Sequence, residues 1–410
     1  MTNARPLFFA VLAIAAIAQF SLTPSGAVAG EWDLSGNVAF ETRFFPNSAF
    51  FSDQDDNQIS PSFVAEPELV YEWGGRANRL TFIPFARWAP DSDQRTHVDV
   101  REANWLHEGR GWDLVIGLDR IFWGVTESRH LVDIINQFDG VEDIDDEDKL
   151  GQPMVNFRLQ EDWGTLSAFV LPGFRERSFP DEDARLRGPI VIDADNPTYD
   201  SAAEETHVDF ALRWSHVIGD WDIGVSHFHG TSREPRLILT PRPGGQVVFV
   251  PHYDQIDQTG LEVQWTVEAW LWKLEAMSRS GHGDRFYATV AGFEYTLYQL
   301  FETVADLGLL AEYQYDGRDR ALAPPAAGDG DLFLGARLAL NDVQSTEALA
   351  GAVVDRSSQA TLFFVEASRR VGDNWKVELE GRFFFNGQND VLVAGIRDDD
   401  FLTLRLSRFF

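Results

Sequence analysis

The chain has 410 residues, with 34 Lys+Arg against 65 Asp+Glu, a formal net charge of −31, and no cysteine. A charge this negative excludes a nucleic-acid binder, which needs a basic footprint, and the missing cysteine excludes disulfide scaffolds, thiol nucleophiles and thiolate metal centres. The 32 Phe and 13 Trp are too heavy an aromatic load for a disordered acidic protein.

At the N-terminus, Arg5 and the α-amine precede an apolar stretch at 7–20 and a small-residue site, Ala27-Val28-Ala29. This reads as a secretory signal peptide over residues 1–29. The apolar run is too short for an anchor and no stop-transfer charges follow. Cleavage after Ala29 leaves 33 basic and 65 acidic residues, net −32. No later stretch of 18 apolar residues occurs, so a membrane-spanning mature chain must cross with strands.

The remainder, 30–410, is built of runs in which apolar and polar side chains alternate. In the run at 261–269, Leu261, Val263, Trp265 and Val267 share one face, while Glu262, Gln264, Thr266 and Glu268 share the other. A period of two is strand. Such runs predict strands at 32–44, 62–72, 79–88, 97–107, 112–122, 154–161, 164–174, 205–217 and 221–230. Others follow at 258–269, 271–280, 286–297, 305–315, 331–340, 346–354, 358–370, 375–385 and 400–410. That makes eighteen, or sixteen if the weak run at 346–354 and one other are dropped. Their length and charged second face fit a transmembrane β-barrel with a wet lumen better than a soluble sandwich.

The links alternate. Short turns fall at Trp73-Gly74-Gly75, Glu108-Gly109-Arg110, Asp162-Trp163, Gly219-Asp220 and Gly372-Asp373-Asn374, and long loops at 45–61, 123–153, 175–204, 231–257 and 316–330. Aromatics near run ends (Trp32, Trp73, Trp88, Trp112, Trp123, Trp163, Trp214, Trp221, Trp270, Trp272 and Trp375) suit girdles at two membrane interfaces. The chain ends on Leu402, Leu404 and Leu406 alternating into Phe409 and Phe410, which resembles the signal read by the outer-membrane barrel assembly machinery. Arg408 departs from that pattern.

Four segments carry a wider resemblance: 118–161, which opens LDRIFWGVTESRHLVDIINQFDG, LPGFRER at 171–177, HFHGTSREPRL at 227–237, and LALNDVQSTEALAGAVVD at 338–355. Together they resemble an uncharacterised proteobacterial family of porin-like outer-membrane β-barrels, more distantly similar to alginate-export-type barrels. The resemblance implies the fold and an outer-membrane location, and it brings no functional residues. An alginate-like substrate conflicts with the strongly acidic composition.

The 123–153 loop mixes charge with Leu131, Ile134 and Ile135 at helical spacing. Folded inward, it would bring Arg129, His130, Asp133 and Asn136 to a pore constriction; otherwise it caps the rim. Next, 139–148 packs seven acids into ten residues without EF-hand spacing, which favours a solvated loop, bridged to lipopolysaccharide by divalent ions, over a calcium site. His227 and His229 share a strand face but lack a third ligand, so rim residues fit better than a metal centre. Ser280, His282 and Asp284 crowd one Gly-rich turn, weak grounds for a hydrolase because triads are usually assembled from distant segments.

The lumen-facing charges expected are Arg43, Glu66, Glu68, Arg87, Arg101, Arg158, Asp209, Arg213, Glu262, Glu268, Lys273, Glu275, Arg279, Lys376, Glu378, Glu380, Arg382 and Arg405. Cross-strand pairing accounts for most of them, with a transverse field across an eyelet as the alternative. The sequence therefore points to an outer-membrane channel for passive diffusion of small polar or amphipathic solutes, needing no cofactor. An export or lipid-transfer barrel working with an inner-membrane pump, a rim hydrolase and a structural protein are the rivals. Whether the barrel is a homo-oligomer is left open.

Overall fold

The structure is a computed structural model that describes residues 30–390 and 393–410. The signal-peptide reading on 1–29 lies outside the described residues. In chain order the strands are β1 Glu31–Phe44, β2 Ile59–Trp73, β3 Asn78–Trp88, β4 His97–Glu108, β5 Trp112–Asp119, β6 Gln152–Glu161, β7 Gly164–Pro172, β8 Thr198–Tyr199, β9 Val208–Ile218 and β10 Trp221–Thr231. There follow β11 Arg236–Pro241, β12 Val247–Tyr253, β13 Gln255–Val267, β14 Trp270–Gly281, β15 Gly283–Leu297 and β16 Asp306–Asp316. The last five are β17 Leu332–Ala339, β18 Glu347–Val354, β19 Thr361–Val371, β20 Trp375–Phe385 and β21 Phe401–Phe409.

All of these except β8, β11 and β12 form one 18-stranded sheet, and every neighbouring pair in it is antiparallel. β21 pairs back onto β1 from Asn37↔Phe409 to Phe44↔Leu402, so the sheet closes into a barrel. Closure removes the unpaired edge that a bilayer would not tolerate. Each of the eighteen expected strands is present. The weakest, at 346–354, pairs with both neighbours along its whole length. The fifth is shorter than expected, because the chain leaves the wall after Asp119.

Alternation explains the faces. On β1, Phe40 and Phe44 are exposed to the outside, while Ala39, Glu41 and Arg43 are buried within. At the edge with short turns, Trp221 stacks on Trp265 at 5.0 Å. The aromatic row continues through Trp272 and Phe293 at 5.4 Å. The opposite edge carries Phe40, Phe63 and Trp88, with Phe63 stacked on Trp88 at 5.8 Å. These are the two girdles, with one correction: Trp123 is 4% exposed and lies inside the barrel. The 74–77 turn is tight because Gly74, Gly75 and Arg76 all take positive φ. On the long-loop side, β11 pairs antiparallel with β12, and β12 pairs parallel with β8. The sequence reading did not anticipate this small sheet.

Candidate functional site

The link from β5 to β6 turns into the lumen. At one end Arg101 on β4 bonds Asp139 at 2.8 Å; at the other, Glu312 on β16 accepts from the Ser128 backbone at 2.8 Å. β4 and β16 stand on opposite sides of the closed ring, so the loop crosses the interior.

Three kinds of contact hold it. First, two buried wall carboxylates collect its backbone. Glu275 accepts from the Val125 and Thr126 amides at 2.8 and 3.0 Å, the Thr126 hydroxyl at 2.7 Å and the Val132 amide at 3.2 Å. Glu312 accepts from the Glu127 and Ser128 amides, both at 2.8 Å, and the Ser128 hydroxyl at 2.6 Å. These side chains replace the donors' intrahelical partners. No helix forms over 123–136 despite the helical spacing of Leu131, Ile134 and Ile135.

Second, the apolar residues pack against the wall. Trp123, Val132, Ile134 and Ile135 form one buried cluster with Met154, Phe169, Leu171, Ala211, Phe228 and Ile256, and Leu131 joins Met277, Phe286, Ala288 and Val290 in another. The lumen beside β6–β15 is therefore filled by a dry core, an arrangement more typical of a soluble domain.

Third, the acidic stretch is pinned by arginines. Glu142 meets Arg87 at 2.5 Å, Asp143 meets Arg43 at 2.6 Å, Asp145 meets Arg382 at 3.0 Å, and Asp146 pairs with Arg177. This corrects the expectation of a solvated outer loop: the acids turn inward because the wall supplies buried guanidinium groups that need counter-ions. Burial raises the Asp139 and Glu142 carboxyls, yet His97 and Arg101 hold Asp139, and Arg87 holds Glu142, below the ordinary range. Farther along the loop the balance reverses. Burial, with Glu142 and Asp143 close by, pushes the Asp148 carboxyl up to about 6. Burial beside Asp143 and Glu147 raises Asp145 well above its usual value, and burial also raises Glu147.

Between this acidic arm and the wall from β17 through β21 and β1 to β3 lies a cavity of about 460 Å³. Glu127, Asp143, Asp145, Glu147 and Asp148 border it from the loop, and Arg43, Arg87, Arg337, Lys376, Glu378, Glu380, Arg382 and Arg405 from the wall. With Glu41, Glu142, Glu347 and Glu366, it presents eleven carboxylates against six basic side chains.

The four constriction candidates fare differently from expectation. Arg129 bonds Asp316 at 3.0 Å and the Ala327 carbonyl; His130 lies 3.8 Å from Glu275 and edge-on to Phe122. Asp133 pairs with Lys149, and burial raises the one and lowers the other. Asn136 is 1% exposed and bonds Ile121, Asp119 and Leu150 backbone groups. None of the four borders the cavity. They secure the loop, and its acids, which sequence reasoning had assigned to solvent, face the open space.

Of the lumen candidates, Arg43, Arg87, Lys376, Glu378, Glu380, Arg382 and Arg405 line the cavity. The rest lie in pairs: Glu66 with Arg120 at 3.6 Å, Arg158 with Asp113 at 3.4 Å, Asp209 with Arg233 at 2.8 Å, and Arg213 with Glu262. Lys273 lies 3.7 Å from Glu127, and Arg279 bonds Gln258 at 2.8 Å. Glu68 is half-buried on the same face of β2 as Glu66. Glu268 is the exception: it sits outside the strands, exposed in the β13–β14 turn with a positive φ.

The Ser/His/Asp turn does not converge. Ser280 accepts from Arg285 at 2.9 Å and Asp284 is exposed, whereas His282 is buried, 3.5 Å from Asp254. Burial, reinforced by Arg279, holds the His282 imidazole down at about 3, so it stays neutral at ordinary pH. His227 and His229 are exposed and bond Thr259 at 2.9 Å and Asp257 at 3.0 Å.

No family model matches the chain, and no curated protein does either. Among solved structures, the trimer form of in-vitro folded OmpT, an outer membrane protein of Vibrio cholerae, aligns at TM-score 0.43 with 11% identity over 93% of this chain and 100% of that one. A mutant of the Rh. blastica porin aligns at 0.43 with 10% identity over the same shares. A structure described as showing asymmetric conductivity of engineered proteins aligns at 0.44 with 11% identity, again over 93% and 100%.

Proposed function

We propose that this protein is an outer-membrane channel of a Gram-negative envelope, passing small polar or amphipathic solutes by diffusion, with a preference for cations. The observation that carries the reading is the acid-rich cavity left between the inward loop and the β17–β21 wall, on the side of the lumen that the apolar core does not fill. An 18-stranded barrel is wide enough to keep an aqueous lumen, and a confined excess of carboxylates raises the local cation concentration. The apolar belt between two aromatic girdles supports insertion in a bilayer, and lipopolysaccharide would surround the long-loop edge. The terminal Phe410 would be the handle for barrel assembly, since its part in the fold is small: one backbone bond to Gly36 at 3.2 Å.

The test is conductance of the refolded mature protein in a planar bilayer, with reversal potential under a salt gradient. Steady conductance with a cation-side reversal potential is the expected result. Silence from protein shown to be folded would sink the passive reading and favour an export or lipid-transfer barrel, which the partly filled lumen also resembles.

A further inference from the structure

At the long-loop edge, β17 and β18 end on the pair Leu332↔Val354. Asp331 and Asp355 flank that pair and so face one another across the hairpin. Like charges placed opposite repel. Asp331 is 4% exposed; its Oδ2 accepts from the Gly328 amide at 3.0 Å, while its buried Oδ1 has no donor among the described residues. Asp355 takes the Ser357 amide and hydroxyl and the Ser358 amide on Oδ1 alone, at 2.6, 2.7 and 3.1 Å. Asp329 spends Oδ2 on Arg320, whose side chain is largely exposed. One carboxylate oxygen from each of Asp329, Asp331 and Asp355 lies within 4.8 Å of the other two. Oxygens sharing one calcium ion, each at 2.3–2.6 Å from it, are separated by no more than about 5 Å.

Three other acid-rich groups of comparable spacing occur among the described residues. Across the three, buried or half-buried arginines already hold most of the carboxylates. Asp139 and Glu142 hold Arg101 and Arg87; Asp254 holds Arg236; Asp143 holds Arg43, and Asp145 and Glu380 meet Arg382. Glu380 Oε1 also lacks a hydrogen-bond donor but lies 3.2 Å from the Arg382 guanidinium, whereas Asp331 Oδ1 is a buried carboxylate oxygen with neither a donor nor an ion-pair partner among the described residues.

We propose that Asp329, Asp331 and Asp355 bind a calcium ion that ties the 317–331 link to the β18–β19 connection at the outer rim. Calcium suits the site because it takes six to eight oxygen ligands in adaptable geometry, so three carboxylates can be completed by backbone carbonyls and water. Consistent with this, burial, with Asp355 and then Asp329 adding to it, pushes the Asp331 carboxyl up to about 6. The site stands apart from the cavity, and its test does not depend on conduction.

Isothermal titration of calcium chloride into chelator-treated, refolded full-length protein is the direct measurement. The expected result is one site with Kd of about 0.1–1 mM, the range of extracellular calcium modules, weakened at least tenfold in Asp331→Asn and in Asp355→Asn but unchanged in Asp145→Asn. Thermal melts give a second readout with opposite signs. Calcium raises the wild-type midpoint and leaves Asp331→Asn unmoved, while without calcium Asp331→Asn melts no lower than wild type, having lost a repelling charge. Calcium binding that survives both rim substitutions, or folded wild type that binds none, overturns the proposal. A wild-type midpoint indifferent to calcium but rising as pH falls through 6 would also overturn it, because Asp331 would then be a protonated acid.

Discussion

The inward loop hangs on Glu275 and Glu312, and removing both carboxylates tests whether it limits conduction. Together they accept seven hydrogen bonds from 125–132, five from backbone amides and two from hydroxyls. A hydrogen bond to a charged group contributes about 1.5–3 kcal/mol at most, and a neutral one about 1. In Glu275→Ala/Glu312→Ala the released amides can take water from the lumen, and bonds from one segment are not additive. A combined loss of about 4–8 kcal/mol follows for the docking of 125–132, or about three to six decades in its docking equilibrium constant. Hydrogen exchange of the refolded variant should show fast exchange at Val125–Val132, and single-channel conductance should at least double with added open-state noise. Exchange unchanged from wild type would refute the energetic estimate. Fast exchange with unaltered conductance would refute the idea that this loop narrows the path.

Four further outcomes follow. Cation preference should fall as pH drops from 7.5 to 5, because Asp148 titrates at about 6 and Asp145 and Glu147 are raised as well; these acids are charged only above their raised values, and a reversal potential constant over that range would contradict the assignment. By the same sign, Asp148→Asn should stabilise the protein at pH 7.5, where ionising this acid beside Glu142 and Asp143 costs free energy, and should do nothing near pH 4, as thermal midpoints at the two pH values would show. Phe169→Ala should cost about 3–5 kcal/mol, seen as faster exchange of 131–136, since it removes the ring packed edge-on against Trp123 at 5.6 Å. Deleting Phe410 should lower the amount of folded barrel in cells while leaving refolding in vitro unchanged; equal loss in both would make its role structural.

The wall was legible because barrel strands repeat with a period of two and each expected run found its partners. The interior was not. Glu275 and Glu312 look like any other lumen charge in the sequence, and only the closed ring shows that they face a loop from far along the chain. The one available signal was apolar residues on both faces of a run: in β7, Phe169 and Leu171 point inward while Val170 points out. An inward Phe in a strand whose lumen should be wet implies something apolar inside to cover it. Trp123 was misplaced for the same reason, since a Trp at a run end reads as girdle unless the strand is known to stop at Asp119. The acids of 139–148 misled in the opposite direction, because their counter-ions, Arg43, Arg87 and Arg382, come from three separate strands.

The dry core also bears on the lipid-transfer alternative. A barrel that releases lipid sideways needs either a weak seam or an apolar cradle open to the bilayer. The seam between β1 and β21 is paired over eight residues on each strand, and parting it in hydrocarbon would leave several backbone groups unsatisfied at a cost of several kcal/mol each. The apolar surface inside is already occupied: Ile134 and Ile135 are 2% and 0% exposed, and Phe228, Leu171 and Ile256 on the wall are 1% or less. A lipid could enter only by expelling the loop. The Glu275→Ala/Glu312→Ala variant discriminates here as well, since a diffusion channel should pass more ions when the loop loosens, whereas a lipid conduit should gain lipid occupancy in detergent extracts. Enrichment of bound lipid in that variant without a rise in conductance would turn the argument toward transfer.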